Sequence, residues 1–175
     1  MDGLPVIQTQ RLRLMALSFA QLALCLSDLA RLEQELSLPV SRAVITEIVQ
    51  RAIRMKLDKM TQADPHAHAW YTYWLIVIVD KKHGAGLAGF KGVPDHAGEV
   101  EIGYGMAPEF QGHGYMTEAV RAMITWAFES PDCRVVIAPN TLRTNIGSNR
   151  VLEKAGFHIY QETSEAFYWR IDKNA

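Results

Sequence analysis

Residues 101–119 read EIGYGMAPEFQGHGYMTEA. Ile102 and Tyr104 alternate with Glu101 and Gly103, the period of a strand with two unlike faces, and the strand extends over Glu99 to Met106. Gly112 and Gly114 interrupt the pattern. Met116, Val120, Met123, Ile124, Ala127 and Phe128 then recur at helical spacing. A strand that runs through a glycine-containing loop into a helix turns the N–H groups of the loop and first helical turn outward. With the helix dipole behind them they form an anion site suited to a pyrophosphate. The loop lacks the G-x-x-x-x-G-K-[ST] pattern of a Walker A loop.

Upstream, Thr9 to Leu17 alternates Leu12 and Leu14 with Arg11 and Arg13 and predicts a half-buried strand. Ser18 is an N-cap type, followed by Phe19, Leu22, Cys25, Leu26 and Leu29 on one helical face. A second helix starts near Ser41, and Thr61 to Ala69 reads as loop. Trp70 to Asp80 and Leu87 to Gly92 read as strands joined by a turn at Lys81 to Gly84. Downstream come a strand at Val135 to Ala138 and a helix from Ser148 to Ala155 closed by Gly156. A hairpin of Phe157 to Gln161 and Ala166 to Ile171 follows. The order describes an α+β fold, an antiparallel meander feeding a βαβα unit.

The chain has 175 residues, 49% hydrophobic and 21% charged, and suits one folded domain over 1–175 with its motif-bearing core at 9–171. Its 18 Lys and Arg against 19 Asp and Glu give a net charge of −1, which gives no support for nucleic-acid binding by bulk charge and leaves room for a local basic pocket for a phosphorylated cofactor. The longest apolar run, Trp74 to Val79, is too short to span a bilayer, and Met1 to Gln10 has no basic signal-peptide region. Cys25 and Cys133 are too few for a disulfide framework and lack zinc spacing. A cytoplasmic protein with no metal, no membrane and no nucleic-acid partner is expected.

Gly84 to Gly89 matches G-x-G-x-x-G, but Gly92 and Pro94 follow at once, so no helix opens on it and it reads as a glycine-rich hairpin. His66 and His68 have no third ligand at useful spacing and read as exposed loop. A second signal is Asn145-x-x-Ser148-x-x-Val151-Leu152-Glu153-Lys154-x-Gly156-Phe157. Taken alone, Asn145 and Ser148 are helix caps.

The two signals together resemble the GNAT superfamily of acetyl-CoA-dependent N-acetyltransferases, and most closely its RimJ/RimL-like branch of ribosomal-protein N-terminal acetyltransferases. Gln111 to Met116 is similar to the family's Q/R-x-x-G-x-G/A loop, with Met116 where a small residue is usual. Thr9-x-Arg11-Leu12-Arg13-Leu14 is similar to the branch's first strand, and Glu101 to Tyr104 to the strand before the loop. The resemblance implies a mixed central sheet of about seven strands with a splayed parallel pair, flanked by helices. It implies acetyl-CoA as cosubstrate, with the pyrophosphate on the N–H groups of Gln111, Gly112, His113, Gly114, Tyr115 and Met116 and with Thr117 nearby. The pantetheine arm would lie along Tyr104 to Met106, held also by Asn145, with Ser148 at the same helix start.

An acceptor amine must be neutral before it attacks a thioester, so a base or a water chain has to take its proton. Glu101 is the base that the resemblance suggests; a solvated strand-face carboxylate is the plain reading. Leu152 stands where many superfamily members carry a proton-donating Tyr, and Ser148 is the substitute the branch suggests, against a cap or cofactor contact. Trp70, Tyr71, Tyr73 and Trp74 line either an acceptor groove or the core. Arg143 and Arg150 meet either the remote phosphate or solvent. The expected acceptor is an amine, either a protein N-terminus or a small molecule such as a polyamine or aminoglycoside, and the protein a monomer or homodimer. The alternative from another class is a non-catalytic acyl-CoA sensor on the same fold.

Overall fold

The computed structural model describes residues 3–173. Eight strands form one sheet in the order β1-β2-β3-β4-β5-β6-β8-β7. They are β1 (Val6–Gln8), β2 (Leu12–Ala16), β3 (Trp74–Ile78), β4 (His83–Phe90), β5 (Glu99–Met106), β6 (Val135–Leu142), β7 (His158–Glu162) and β8 (Ala166–Asp172). All neighbours are antiparallel except β5 and β6. Among the described residues six helices accompany the sheet: α1 (Phe19–Ser27), α2 (Leu29–Leu36), α3 (Glu47–Gln62), α4 (His68–Tyr71), α5 (Tyr115–Glu129) and α6 (Ile146–Ala155). This is the α+β arrangement expected, with eight strands rather than about seven.

Two cores sit on the two faces of the sheet. Leu12, Leu14, Trp74, Ile76, Ala88, Phe90, Val100 and Ile102 pack with Met116, Ala119, Val120 and Met123 of α5. Leu75, Val77 and Leu87 pack on the other face with Leu22 of α1, Leu32 of α2 and Ile53 and Met60 of α3. Strand alternation sends consecutive residues of β3 into different cores, which is why this strand is apolar throughout.

The local differences from the sequence reading have identifiable causes. Ser18 caps α1 through a reciprocal box with Gln21, as its residue type predicts. The first helix does not continue to Leu29 in one piece, because Asp28 takes up cap geometry and its side chain accepts from Arg31 N–H to start α2. The helix expected near Ser41 is only a 3₁₀ turn at Arg42–Val44; α3 starts after Thr46, which caps it. The expected loop at 61–69 is largely helical, a 3₁₀ turn at Pro65–Ala67 leading into α4. The Gly84 to Gly89 run lies in β4, which forms the expected hairpin with β3 but starts at His83 rather than Leu87, and β6 runs on to Leu142. β1 is a three-residue edge strand with no alternation long enough to read.

One polar network ties the first strands to the glycine loop. Glu118 on α5 accepts from Thr9 Oγ1 at 2.6 Å, from Arg11 N–H at 2.9 Å and from Arg11 Nε at 2.7 Å. Arg11 Nη1 donates to the carbonyl of His113 at 2.9 Å, and its guanidinium lies 4.7 Å from the Tyr115 ring centre. Burial raises the Glu118 carboxyl, but these three donors outweigh it and hold the group below its ordinary range. A carboxyl lowered on folding stabilises the fold above its unfolded pKa of about 4.3, and that contribution is lost as pH falls through the lowered folded value. Urea denaturation of Glu118→Gln is therefore expected to show a deficit against the parent at pH 7 that begins to shrink below the unfolded value of about 4.3 and narrows further as pH falls. A deficit of equal size at pH 3 and pH 7 refutes the charge-based account.

Candidate active site

β5 and β6 pair in register only at Glu99 with Val135, Val100 with Val136 and Glu101 with Ile137. Past that point β5 stays on β4 as far as Met106, and β6 stays on β8 as far as Leu142. The two strands therefore part, and a wedge opens between them. Two residues of β6, Pro139 and Asn140, face the single Tyr168 of β8 as a bulge, with Asn140 at φ 54°. Pro139 has no N–H to offer either neighbour.

The glycine loop lies at the open end of β5. Gln111 Nε2 donates back to the Met106 carbonyl at 2.9 Å, and His113 Nδ1 meets the Phe110 carbonyl at 3.3 Å. Gly112 and Gly114 sit at φ +79° and +78°, a region where a side chain is strained. Gln111 to Gly114 are exposed. Ser18, Asp28, Thr46 and Asn145 cap α1, α2, α3 and α6, whereas no side chain caps α5. Its first-turn N–H groups thus face the loop with the positive end of a 15-residue helix behind them. Met116 departs from the family's small residue without disturbing this, because its side chain is buried in the α5 core.

α6 starts beside the wedge. Asn145 Oδ1 accepts from the Ser148 N–H at 3.1 Å, so the capping role read from residue type is present. Tyr104 crosses from β5, and its hydroxyl donates to the Ser148 carbonyl at 3.2 Å. Burial raises this phenol well above its ordinary value, against the weaker effect of that hydrogen bond. Tyr104, Ser148 and Asn145 are thus joined beside the parted strands, and the glycine loop follows the open end of β5. Leu152, buried at 1% exposure, packs in the main core one turn further on.

Glu101 lies at the point where the strands part, with its carboxylate ion-paired to Lys91 of the neighbouring strand end. It is half-buried rather than solvated. Trp70 and Trp74 belong to the core, where both rings pack against Trp126. Tyr73 lies under Lys56 Nζ at 4.5 Å on the α3 side. Arg143 is committed to the β7–β8 hairpin, donating to the Thr163 carbonyl at 2.8 Å over the Phe167 ring, while Arg150 is exposed on α6. His68 bonds the Met60 carbonyl, and among the described residues no cluster of three His, Cys, Asp or Glu side chains could hold a metal.

Three supporting residues have contacts that the sequence did not reveal. Asn149 donates to the carbonyls of Leu142 and Asn145 and accepts from Trp169 Nε1, fixing the approach to α6. Arg11 buttresses the glycine loop from 102 residues away. Lys56, nine-tenths buried, donates to the carbonyls of Phe90 at 2.6 Å and Tyr71 at 3.1 Å. Burial pushes its ammonium down to about 7, with Lys59 and Lys91 adding to the effect. An Asn or Lys in a helix reads as surface; only long-range partners reveal otherwise.

Comparison with known proteins agrees with this geometry. Residues 20–158 match the acetyltransferase (GNAT) domain family. The chain is 34% identical over 99 residues to an uncharacterized N-acetyltransferase, YjdG, of Bacillus subtilis, covering 55% of this chain and 56% of that one. It is 46% identical over 57 residues to the probable N-acetyltransferase YjcK of the same organism, covering 33% and 31%. These matches span about half and about a third of the two relatives. Its fold is similar to the ribosomal-protein-S5-alanine acetyltransferase of Vibrio fischeri, with TM-score 0.65, 17% identity and 97% of each chain covered. It is also similar to the RimL ribosomal L7/L12 α-N-protein acetyltransferase solved in complex with coenzyme A, with TM-score 0.64, 18% identity, and 96% and 98% covered. A parallel pair that parts beside an uncapped, glycine-led helix, and a family match over most of the chain, make this protein a member of the GNAT acetyltransferase family.

Proposed function

We propose that the protein transfers the acetyl group of acetyl-CoA to a primary amine, in a ternary complex, and that the amine is a protein N-terminus. The observation that carries this reading is the wedge between β5 and β6 beside the uncapped start of α5. The free edge of β5 past Glu101 offers N–H and C=O groups to an extended arm, as an added strand would use them. The N–H groups of Gln111 to Met116 suit a pyrophosphate. The likeness to N-terminal acetyltransferases of ribosomal proteins favours an α-amine over a polyamine or aminoglycoside. Cys25 and Cys133 are buried free thiols, in keeping with a cytoplasmic setting and with direct transfer rather than a covalent thiol carrier.

In this reading Glu101 accepts the proton of the ammonium, and the neutral amine attacks the thioester carbonyl. A backbone N–H of β5 faces the oxyanion. The C–S bond then breaks, the nitrogen sheds its second proton, and the leaving CoA thiolate takes up that proton by way of the α6 start, where Ser148 lies. The amide side of Asn145 that the cap does not use serves as a donor to the arm.

The direct test is release of CoA thiol with peptides bearing N-terminal Ala or Ser, polyamines and aminoglycosides, with the product mass located on the acceptor. Acetylated peptide α-amine is expected. Tight acetyl-CoA binding with no thiol released to any amine supports the sensor alternative instead.

Two variants probe the parts. Gly114→Val places a β-branched residue at φ +78°, a strain of roughly 1–2 kcal/mol, and blocks the loop. Calorimetry is expected to find acetyl-CoA binding lost in a protein whose circular dichroism is that of the parent; retained affinity places the pyrophosphate elsewhere. Glu101→Gln keeps the shape of the side chain and removes its basicity. Its kcat is expected to fall by roughly 10²–10⁴ and to recover as pH rises and the amine sheds its own proton. A pH–rate profile that overlays the parent assigns deprotonation to a water chain.

A further inference from the structure

β5 carries two glycines that the fold does not require. Gly103 and Gly105 are absent from the residues with positive φ. A methyl carbon built on either meets no heavy atom of the described residues within 4 Å. The strand beside them differs. A carbon on Gly86 comes within 2.7 Å of the Gly105 carbonyl oxygen, and one on Gly89 within 2.7 Å of the Thr72 carbonyl oxygen. Close approach therefore accounts for the glycines of β4 and for neither of those in β5. Glycine inside a strand gives up packing and backbone order, so two of them over open space call for another reason.

Alternation places Gly103 and Gly105 on the face of Glu101, opposite the α5 core that takes Val100 and Ile102. On that face their partners in β4 are Gly89 and Leu87. There α3 closes the surface, with Lys56 Nζ 3.4 Å and the Tyr73 ring 3.3 Å from the Gly89 position. On the other side β6 has already parted from β5. A strip of bare backbone remains, about 7 Å long, walled on one side and open toward the wedge. Its inner end is the Glu101 carboxylate, on which the ammonium of Lys91 rests.

We infer that Gly103 and Gly105 are the floor of the acceptor channel, and that the channel takes an α-amine rather than an unbranched alkylamine. This rests on the acetyltransferase reading above. Lys91 demonstrates that an alkylammonium is accommodated by Glu101 on this face, and an incoming ammonium competes for the same carboxylate. An unbranched amine is one methylene wide behind its nitrogen and needs no bare floor. An α-amine sits on a carbon that also bears a side chain and a peptide carbonyl, and two missing side chains supply that width.

The test is Gly103→Ala and Gly105→Ala in the full chain. Alanine suits a strand at least as well as glycine, so melting temperatures at or above the parent's are expected. For a peptide with N-terminal Ala, kcat/KM is expected to fall by roughly 10–200-fold, the effect of one methyl group in a fitted site. An unbranched alkylamine, if accepted at all, is expected to lose less. The dissociation constant of acetyl-CoA, by calorimetry, is expected to stay within about two-fold of the parent, since uniform cofactor binding is untouched. Loss of acetyl-CoA affinity by the same factor overturns the proposal and assigns the strip to the thioester arm. Unchanged acceptor kinetics in both variants, or an equal loss for branched and unbranched amines, overturns it as well. A parent protein that acetylates no amine overturns the underlying reading, and that result is seen before any glycine is altered.

Discussion

The parting of β5 from β6 after Glu101 and Ile137 is the constraint around which the rest is arranged. A strand in the middle of a sheet normally satisfies its N–H and C=O groups on both edges, and leaving one edge open removes that satisfaction from several residues at once. The sheet tolerates the opening because each arm keeps its other neighbour. β4 holds β5 as far as Met106, and β8 holds β6 as far as Leu142. The bulge at Pro139 and Asn140 bends β6 where pairing has stopped, and Pro139 removes one N–H that would otherwise lack a partner there. Water meets the exposed groups of the opened edge, and an extended ligand can replace that water with strand-like hydrogen bonds.

What surrounds the wedge fixes its width and its chemistry. Tyr104 spans it to the carbonyl of Ser148, so α6 is located relative to β5 by a side chain and not by packing alone. The start of α6 is fixed in turn by Asn149, which gathers the carbonyls of Leu142 and Asn145 and the indole of Trp169. At the mouth, Arg11 and Glu118 join the turn before β2 to the loop before α5. The network places the Arg11 cation beside the glycine loop, with its Nε donating to Glu118 and its Nη1 to the carbonyl of His113. The N-terminus of α5 has no side-chain cap, and its N–H groups are those the proposed pyrophosphate contact uses.

The parts of this arrangement that rest on neighbours in sequence were legible in it. Ser18 as a cap, Gly156 closing α6, and the strand-loop-helix run from Glu99 to Phe128 are local physics, and they are present. The two motifs in their order gave the family resemblance, and with it the splayed pair. What was illegible depends on partners far away in the chain. Lys56 looks like one more charge on an amphipathic helix until Phe90 and Tyr71 supply its acceptors. Arg11 looks like the polar half of a strand alternation until Glu118 and His113 arrive. The Gly84 to Gly89 run was read as a glycine-rich hairpin and is one arm of the β3–β4 hairpin; what stayed illegible is that two of its three glycines admit the backbone of a neighbour.

That ambiguity of glycine bears on how such sites are recognised. The chain uses the residue for three different physical ends within thirty positions. Gly86 and Gly89 let backbone oxygens approach to distances no side chain permits. Gly112 and Gly114 give the loop its left-handed turns. Gly103 and Gly105 do neither, and stand over empty space beside a carboxylate. In sequence the three pairs are alike, since each is two glycines within four residues. Steric requirement separates them only when a side chain is imagined at each position and its neighbours are measured. Where the imagined side chain meets backbone, the glycine serves the fold. Where it meets nothing, in a strand that would be better built without it, the glycine serves whatever fills the space.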